Sequence, residues 1–461
     1  MDKKKIRECL YQKYITPTER KGEDYIGIEI EMPVVNLSGE ATDFSVTQGA
    51  AGKFIDHYKM EPVGRDENSQ VYSATDPVTG DNLSFDCSYN NLEISFGKEK
   101  SLAVIDKRFR EYVTFLNKEL GRSNHMVTGM GINPFYKKVR KDFLPVPRYQ
   151  MLEGFLKRCK DWKIPMYFHP YPDFATYASA SQVQLDIEKD ALIDTIHAFS
   201  MLEPIKAVLF SNSWMEDEPE LLCMRDRFWE NSTHGINPHN IGMYDRRPET
   251  IEELLDYISL TSIFCTMRDG HYIHFKPIPI IDYFDLDHVV GEYYEHGVYT
   301  PYTFKPERSD IQYLRTYKFI DLTFRGTIEY RSACCQPFDS AMSVAALQLG
   351  LAEQTRELSE ILDNDESIYH HGYSDVELRN ILNQREWPEF IDRKGLRSLC
   401  LSVLELAKKG LEKRDSNDVV LLEPLFDRAD ALMSPARQML ESLEAGTPIE
   451  EYVRYYGGFH E

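Results

Sequence analysis

The sequence predicts an α+β fold built on an antiparallel sheet. Three observations carry this: short apolar segments alternate with period two up to about residue 335, turn-forming sequences separate them, and no regular strand–helix alternation suggests a doubly wound parallel sheet. Beyond about residue 340 nearly every segment reads as helix. We therefore expect a mixed sheet-and-helix unit over residues 1–340 and a helical C-terminal region over 341–461 packed on it.

Tyr25 to Val35 (YIGIEIEMPVV) puts Ile26, Ile28, Ile30 and Met32 on one side and Gly27, Glu29 and Glu31 on the other, which makes it a strand whose two carboxylates share a face. Pro62 to Phe96 holds three short runs separated by DPVTGDN and SYNN, an antiparallel meander ending in LEISF. Leu102, Ile105, Phe109, Tyr112, Leu116 and Leu120 recur at helical spacing before Gly121. A strand at His125 to Gly131 and a helix around Pro147 to Cys159 follow. In Ser179 to Ile187 (SASQVQLDI), Ala180, Gln182, Gln184 and Asp186 share one face, opposite Val183, Leu185 and Ile187. A helix from about Asp190 is expected to end at Pro204, because proline lacks the N–H that a helix interior needs. Strands are expected at His271 to Phe275 and Thr327 to Arg331, and helices at 341–361, 374–382, 396–411 and 424–443.

With 42% hydrophobic and 12% aromatic residues in 461, the chain can bury a sizeable core, which excludes disorder and low complexity. The formal net charge of −22 argues against nucleic acid and anionic membrane surfaces as partners. Eight cysteines without a CxxC pair do not suggest a disulfide framework or a structural zinc site. The first residues, MDKKKIRECLYQKYI, lack the apolar run of a signal peptide, and no uncharged apolar stretch of about 18 residues occurs, so a cytoplasmic protein is expected.

Several groups of side chains could carry chemistry. Glu29 and Glu31, roughly 7 Å apart along a strand face, could share a hard divalent cation, which prefers oxygen ligands. An isolated pair of this kind is more often an exposed acidic edge, but the surrounding strand is apolar. Asp86 and Glu93 flank the SYNN turn and could meet on the same sheet face. Gln182 and Gln184 offer neutral ligands or donors. Arg225 and Arg227 in CMRDRFW, Arg268 in MRDG and Arg331 in IEYR could bind carboxylates bidentately or offset phosphoryl charge. There is no GxxxxGK[ST] loop, GxGxxG, GxSxG, HExxH or EF-hand loop, so nucleotide binding would have to use metal and sheet carboxylates.

Taken in order, GIEIEMP, SFDCSYNNLEISFG, SQVQLDI, AFSMLEPIKAVLFSNS, CMRDRFW, FCTMRDGHYI and YKFIDLTFRGTIEYRSACCQPFD resemble segments of the glutamate-cysteine ligase superfamily, in its plant and proteobacterial branch. The resemblance implies a curved, glutamine-synthetase-like antiparallel sheet flanked by helices, with ATP as substrate and two to three Mg²⁺ ions, for which Mn²⁺ can substitute. By carry-over, Glu29, Glu31, Asp86, Glu93, Gln182 and Glu329 would ligate metal; Arg225, Arg268 and Gln184 would bind substrate; Arg331, with Glu329, would act at the phosphoryl group. The implied reaction joins the glutamate γ-carboxylate to the amino group of L-cysteine through a γ-glutamyl phosphate, giving γ-glutamylcysteine, ADP and phosphate. Two alternatives stand beside it: a ligase of the same fold using another amine or amino acid, and a non-catalytic paralogue binding nucleotide or amino acid. The partners implied are glutamate, ATP and cysteine or another amine, in a monomer or homodimer. Two departures bear on the acceptor: the family's Glu-Pro-Gly-Gly-Gln turn is replaced by Asp86-Cys-Ser-Tyr-Asn-Asn, and Cys334 and Cys335 follow the final strand.

Overall fold

A computed structural model describes residues 2–460. Its centre is a nine-stranded sheet. Seven strands come from the first half of the chain: β1 (Ile26–Asn36), β2 (Glu61–Arg65), β3 (Val71–Thr75), β4 (Asn82–Phe85), β5 (Asn91–Ser95), β6 (His125–Val127) and β7 (Ser181–Asp186). A short parallel pair, β8 (Ile241–Gly242) with β13 (Tyr317–Lys318), lies outside it. So does a four-stranded sheet of β9 (Ser262–Arg268), β10 (His271–Pro279), β11 (Val289–Glu295) and β12 (Val298–Phe304). The last two strands, β14 (Ile320–Leu322) and β15 (Thr327–Tyr330), return to the large sheet.

The strand order is β14-β15-β7-β1-β5-β4-β3-β2, with β6 paired to the far end of β1, and every pairing in the sheet is antiparallel. The α+β expectation therefore holds. Two strands distant in sequence, β7 and β15, enter beside β1, so the sheet is not a simple meander. Its apolar face carries Ile28, Ile30, Ile94, Val183 and Ile328, all buried.

That face is covered by helices whose composition suits burial. Lys189–Phe210 is buried along its whole second half, from Ala198 to Phe210. It runs straight through Pro204, contrary to the expected stop. Full burial of both flanks outweighs the loss of one backbone hydrogen bond, since a helix apolar all round is held by its packing. Helix Ser343–Leu351 is buried at every residue and lies against β7 and helix Arg393–Arg414. The two helices cross where Gly350 faces Gly410: a Cβ on Gly410 would come within 1.8 Å of the Gly350 carbonyl oxygen. The C-terminal helices thus contribute to the same hydrophobic core as the sheet, with Leu347, Val403 and Leu425 beside Ile30 and Val183.

Further differences from the sequence reading are local. The meander has four strands. Helix Phe44–Tyr58, the strands β11 and β12 and the helix Ile449–Tyr456 were not expected. The predicted helix 424–443 divides where Leu432 adopts φ 51° and Ser434 caps a new helix at Pro435. All eight cysteines are free. Among the described residues no helix is long and apolar enough to cross a membrane.

Candidate active site

Cross-strand register sets the polar face of the large sheet. Glu31 on β1 stands opposite Glu93 on β5, and Glu29 stands between Ser95 on β5 and Gln182 on β7. Gln184 pairs with Gly27 on one side and Glu329 on the other, and Asp321 on β14 is the next partner of Glu329. Antiparallel partners point to the same side, so period two in each strand gathers these side chains into one field. Gly27 leaves the row open between Gln184 and the next strand.

Hydrogen bonds knit the field together. Glu31 accepts from the Ala180 amide at 2.7 Å through Oε2 and from Gln182 Nε2 at 2.9 Å through Oε1. Gln184 Nε2 bridges Glu329 at 2.7 Å and Glu29 at 3.3 Å. Arg331 donates to Glu329 Oε2 at 2.6 Å. Ser95 and Ser84 donate to Glu93 Oε1 at 2.8 and 3.3 Å. Asp86, at the start of the turn, accepts from Tyr149 at 3.1 Å.

Carboxylate oxygens of Glu31, Asp86 and Glu93 all lie within 4.8 Å of one another. Such crowding disfavours charge. Burial, with the Asp86 charge alongside, pushes Glu31 up to about 8. Burial raises Glu93 well above the usual carboxylate range, and the charges of Glu29, Asp86 and Glu31 add to this. Burial and then Glu329 raise Glu29. One further group points the same way: Gln182 Oε1 is buried and accepts no hydrogen bond among the described residues. A field of acids that the neighbouring arginines offset only in part, with an amide oxygen that accepts no hydrogen bond among the described residues, fits a hard cation held by oxygen ligands.

The arginines divide into two groups. Arg331 and Arg225 stand close to the sheet carboxylates, Arg331 bonded to Glu329 and Arg225 near enough to Glu31 to favour its charged form. Arg225, on helix Met224–Glu230, is 8% exposed. Its Nη1 donates to the carbonyls of Ala333 at 3.1 Å and Ser332 at 3.4 Å, directly after Arg331, and no carboxylate pairs with it among the described residues. Arg268 stands apart. On β9 of the four-stranded sheet, its fork is closed on Asp310 by two bonds of 2.8 Å. Arg227 pairs with Glu230.

The structure also brings in residues that periodicity could not reveal. Arg325, at the tip of the β14–β15 hairpin, donates to Gln184 Oε1 at 2.8 Å. Asp321 is buried and pushed up to about 6. Cys334 lies beside Arg225 with its Sγ 3.5 Å from Cys223 Sγ. Their signal in the sequence is that Asp321, Arg325 and Cys334 lie within the final matching segment, YKFIDLTFRGTIEYRSACCQPFD, where Cys334 already stood out.

No family model matches the chain. Among curated proteins it is similar to the chloroplastic glutamate-cysteine ligase of Nicotiana tabacum, 23% identical over 325 residues, covering 68% of this chain and 56% of that protein. The corresponding ligase of Solanum lycopersicum is 22% identical over 330 residues, with the same coverage. The chain thus matches little more than half the length of these relatives. Among solved structures, a glutamate-cysteine ligase from Francisella tularensis in complex with AMP aligns over 94% of this chain and 87% of its own at 13% identity and a TM-score of 0.49. That last likeness carries no argument about activity. The curated relatives bear out the resemblance read from the sequence, and the chain's likeness is to the glutamate-cysteine ligase superfamily.

Proposed function

We propose that the chain is an ATP-dependent carboxylate-amine ligase that joins the γ-carboxyl of glutamate to an acceptor amine, with L-cysteine as that acceptor. The observation that carries the reading is the continuous polar face on which Glu29, Glu31, Glu93, Gln182, Gln184 and Glu329 stand in cross-strand register beside Arg331. A superfamily likeness to glutamate-cysteine ligases supports it.

In this reading Glu29, Glu31, Asp86, Glu93, Gln182 and Glu329 hold two to three Mg²⁺ ions. Bound magnesium supplies charge neutralisation for the polyphosphate. Arg225 presents the unpaired part of its guanidinium to a carboxylate of glutamate, while its Nη1 is fixed on two backbone carbonyls. Arg331, oriented by Glu329, offsets the negative charge that builds on the phosphoryl group in transfer. Gln184, held between Glu29, Glu329 and Arg325, keeps the sheet side of the site in register.

The chemistry runs in two displacements. A γ-carboxylate oxygen of glutamate bonds to the γ-phosphorus of ATP as the bond to ADP breaks, leaving a γ-glutamyl phosphate. The acceptor nitrogen then adds to the acyl carbon, loses a proton, and inorganic phosphate departs with the C–O bonding pair. No covalent bond to the protein is needed.

A second reading keeps the first displacement and changes the acceptor. The segment after Arg331, where Cys334 packs on Cys223, favours it, because IEYRSACCQPFD departs there from the motif that the resemblance implies. Phosphate release from ATP with Mg²⁺ and glutamate, run against a panel of amino acids and amines, separates the two. Highest kcat/KM with cysteine supports the first reading, and another amine winning supports the second. No glutamate-dependent release with any acceptor removes both.

A further inference from the structure

Arg379 lies on helix Asp375–Leu382, far along the chain from the sheet carboxylates, and is buried at 4% exposure. Its guanidinium makes bonds to two acids on different elements. Nε donates to Asp226 Oδ2 at 2.9 Å and Nη2 to Asp226 Oδ1 at 3.1 Å. Nη1 donates to Glu203 Oε2 at 2.8 Å and to the Glu203 carbonyl at 3.0 Å. Glu203, in turn, accepts from Lys206 at 2.6 Å and from the Ser332 hydroxyl at 3.1 Å through Oε1. The guanidinium also stacks 4.6 Å from the Phe319 ring centroid, and the Phe319 carbonyl accepts from the Arg331 amide at 3.0 Å.

Each tie ends next to a site arginine. Asp226 follows Arg225 in the chain, Ser332 follows Arg331, and Phe319 holds the Arg331 backbone. Two cations and two carboxylates, Arg379, Lys206, Glu203 and Asp226, make the buried cluster neutral overall. A planar fork can engage two carboxylates at fixed angles, which an ammonium cannot. We infer that Arg379 is a positioning residue that sets Arg225 and Arg331 relative to one another, so that the helical C-terminal region completes the active site. This rests on the reading of Arg225 and Arg331 as the glutamate and phosphoryl contacts.

The test uses the full chain with Arg379→Lys, and with the charge-balanced pair Arg379→Gln/Glu203→Gln in case the single variant does not fold. Two readouts are taken. Amide hydrogen exchange, which needs no activity, is expected to quicken at 224–230 and 331–335 while β1 and β5 keep wild-type protection. Steady-state phosphate release is expected to show kcat/KM for glutamate lowered at least tenfold with KM for ATP within about twofold of wild type. Unchanged exchange and kinetics, or loosening spread evenly over the sheet, would overturn the inference. If the wild-type chain releases no phosphate with glutamate, the functional reading fails instead, and the exchange pattern still decides whether Arg379 positions the two segments.

Discussion

Gln182 donates its side-chain amide to Glu31 Oε1 at 2.9 Å, yet its own carbonyl oxygen is buried and has no donor among the described residues. A buried acceptor left unmade costs about 1–3 kcal/mol, and here it points into a group of carboxylates that burial and mutual repulsion have driven up. Both costs fall when a divalent cation binds. Glu93→Gln should therefore weaken Mg²⁺ binding, followed by calorimetry without nucleotide, by at least tenfold and abolish ligation, while thermal stability without metal rises or stays level. A variant that binds Mg²⁺ like wild type would remove Glu93 from the metal set.

Arg331 is fixed by a 2.6 Å bond to Glu329. Lysine retains the charge but not the planar pair of donors. Arg331→Lys is expected to lower kcat by two to three orders of magnitude, about 3–4 kcal/mol of transition-state stabilisation, with a far smaller change in KM for glutamate. Turnover near wild type would show that the guanidinium does not face the reacting phosphoryl group.

Helix 343–351 and helix 393–414 approach so closely at Gly350 and Gly410 that no Cβ fits on Gly410. Gly410→Ala should destabilise the chain by about 1–3 kcal/mol, the usual range for overpacking, measured as a lower denaturant midpoint. An unchanged midpoint would mean that the helices separate freely, and that the C-terminal region is not part of the core.

His274 is completely buried, and among the described residues neither ring nitrogen has a hydrogen-bond partner, the Glu292 carboxylate standing 4.0 Å from Nδ1. Burial, with Arg158 nearby, pushes it down to about 3. Its folded value lies below its unfolded one, so the unfolded chain takes up the proton first as pH falls. The destabilisation begins near the unfolded value of ~6.5 and grows by about 1.4 kcal/mol per pH unit toward pH ~3. His274→Gln should remove that slope over the same window, read as the difference in unfolding free energy between variant and wild type. Parallel curves for the two proteins would show that His274 is already protonated in the native state.

Period two in IGIEIEM and SQVQLDI was enough to assign the polar and apolar faces of β1 and β7, because a strand has only two faces and the apolar set must be buried. The same logic placed Glu93 and Glu329 on strands, and the turn residues between Asp86 and Glu93 implied that the two acids meet. What no local pattern contained was the strand order. Which strand lies beside β1 depends on long-range pairing, and that pairing puts Gln182 against Glu29 and Gln184 against Glu329. Arg268 shows the converse: its motif was visible, but its partner, Asp310, is 42 residues away and closes the fork. Pro204 shows local propensity giving way to burial. Arg379 carried no signal in the sequence, since a lone arginine on an amphipathic helix reads as a solvated side chain until the fold sets Asp226 and Glu203 on either side of it. The sequence by itself thus determined the facing of side chains on the strongly periodic strands such as β1 and β7 and on the helices with clear spacing, through periodicity and turn chemistry, while helix Phe44–Tyr58 and the β11–β12 pair carried no such signal. Tertiary structure decided which of those side chains meet, because register and strand order are fixed only when distant segments pack.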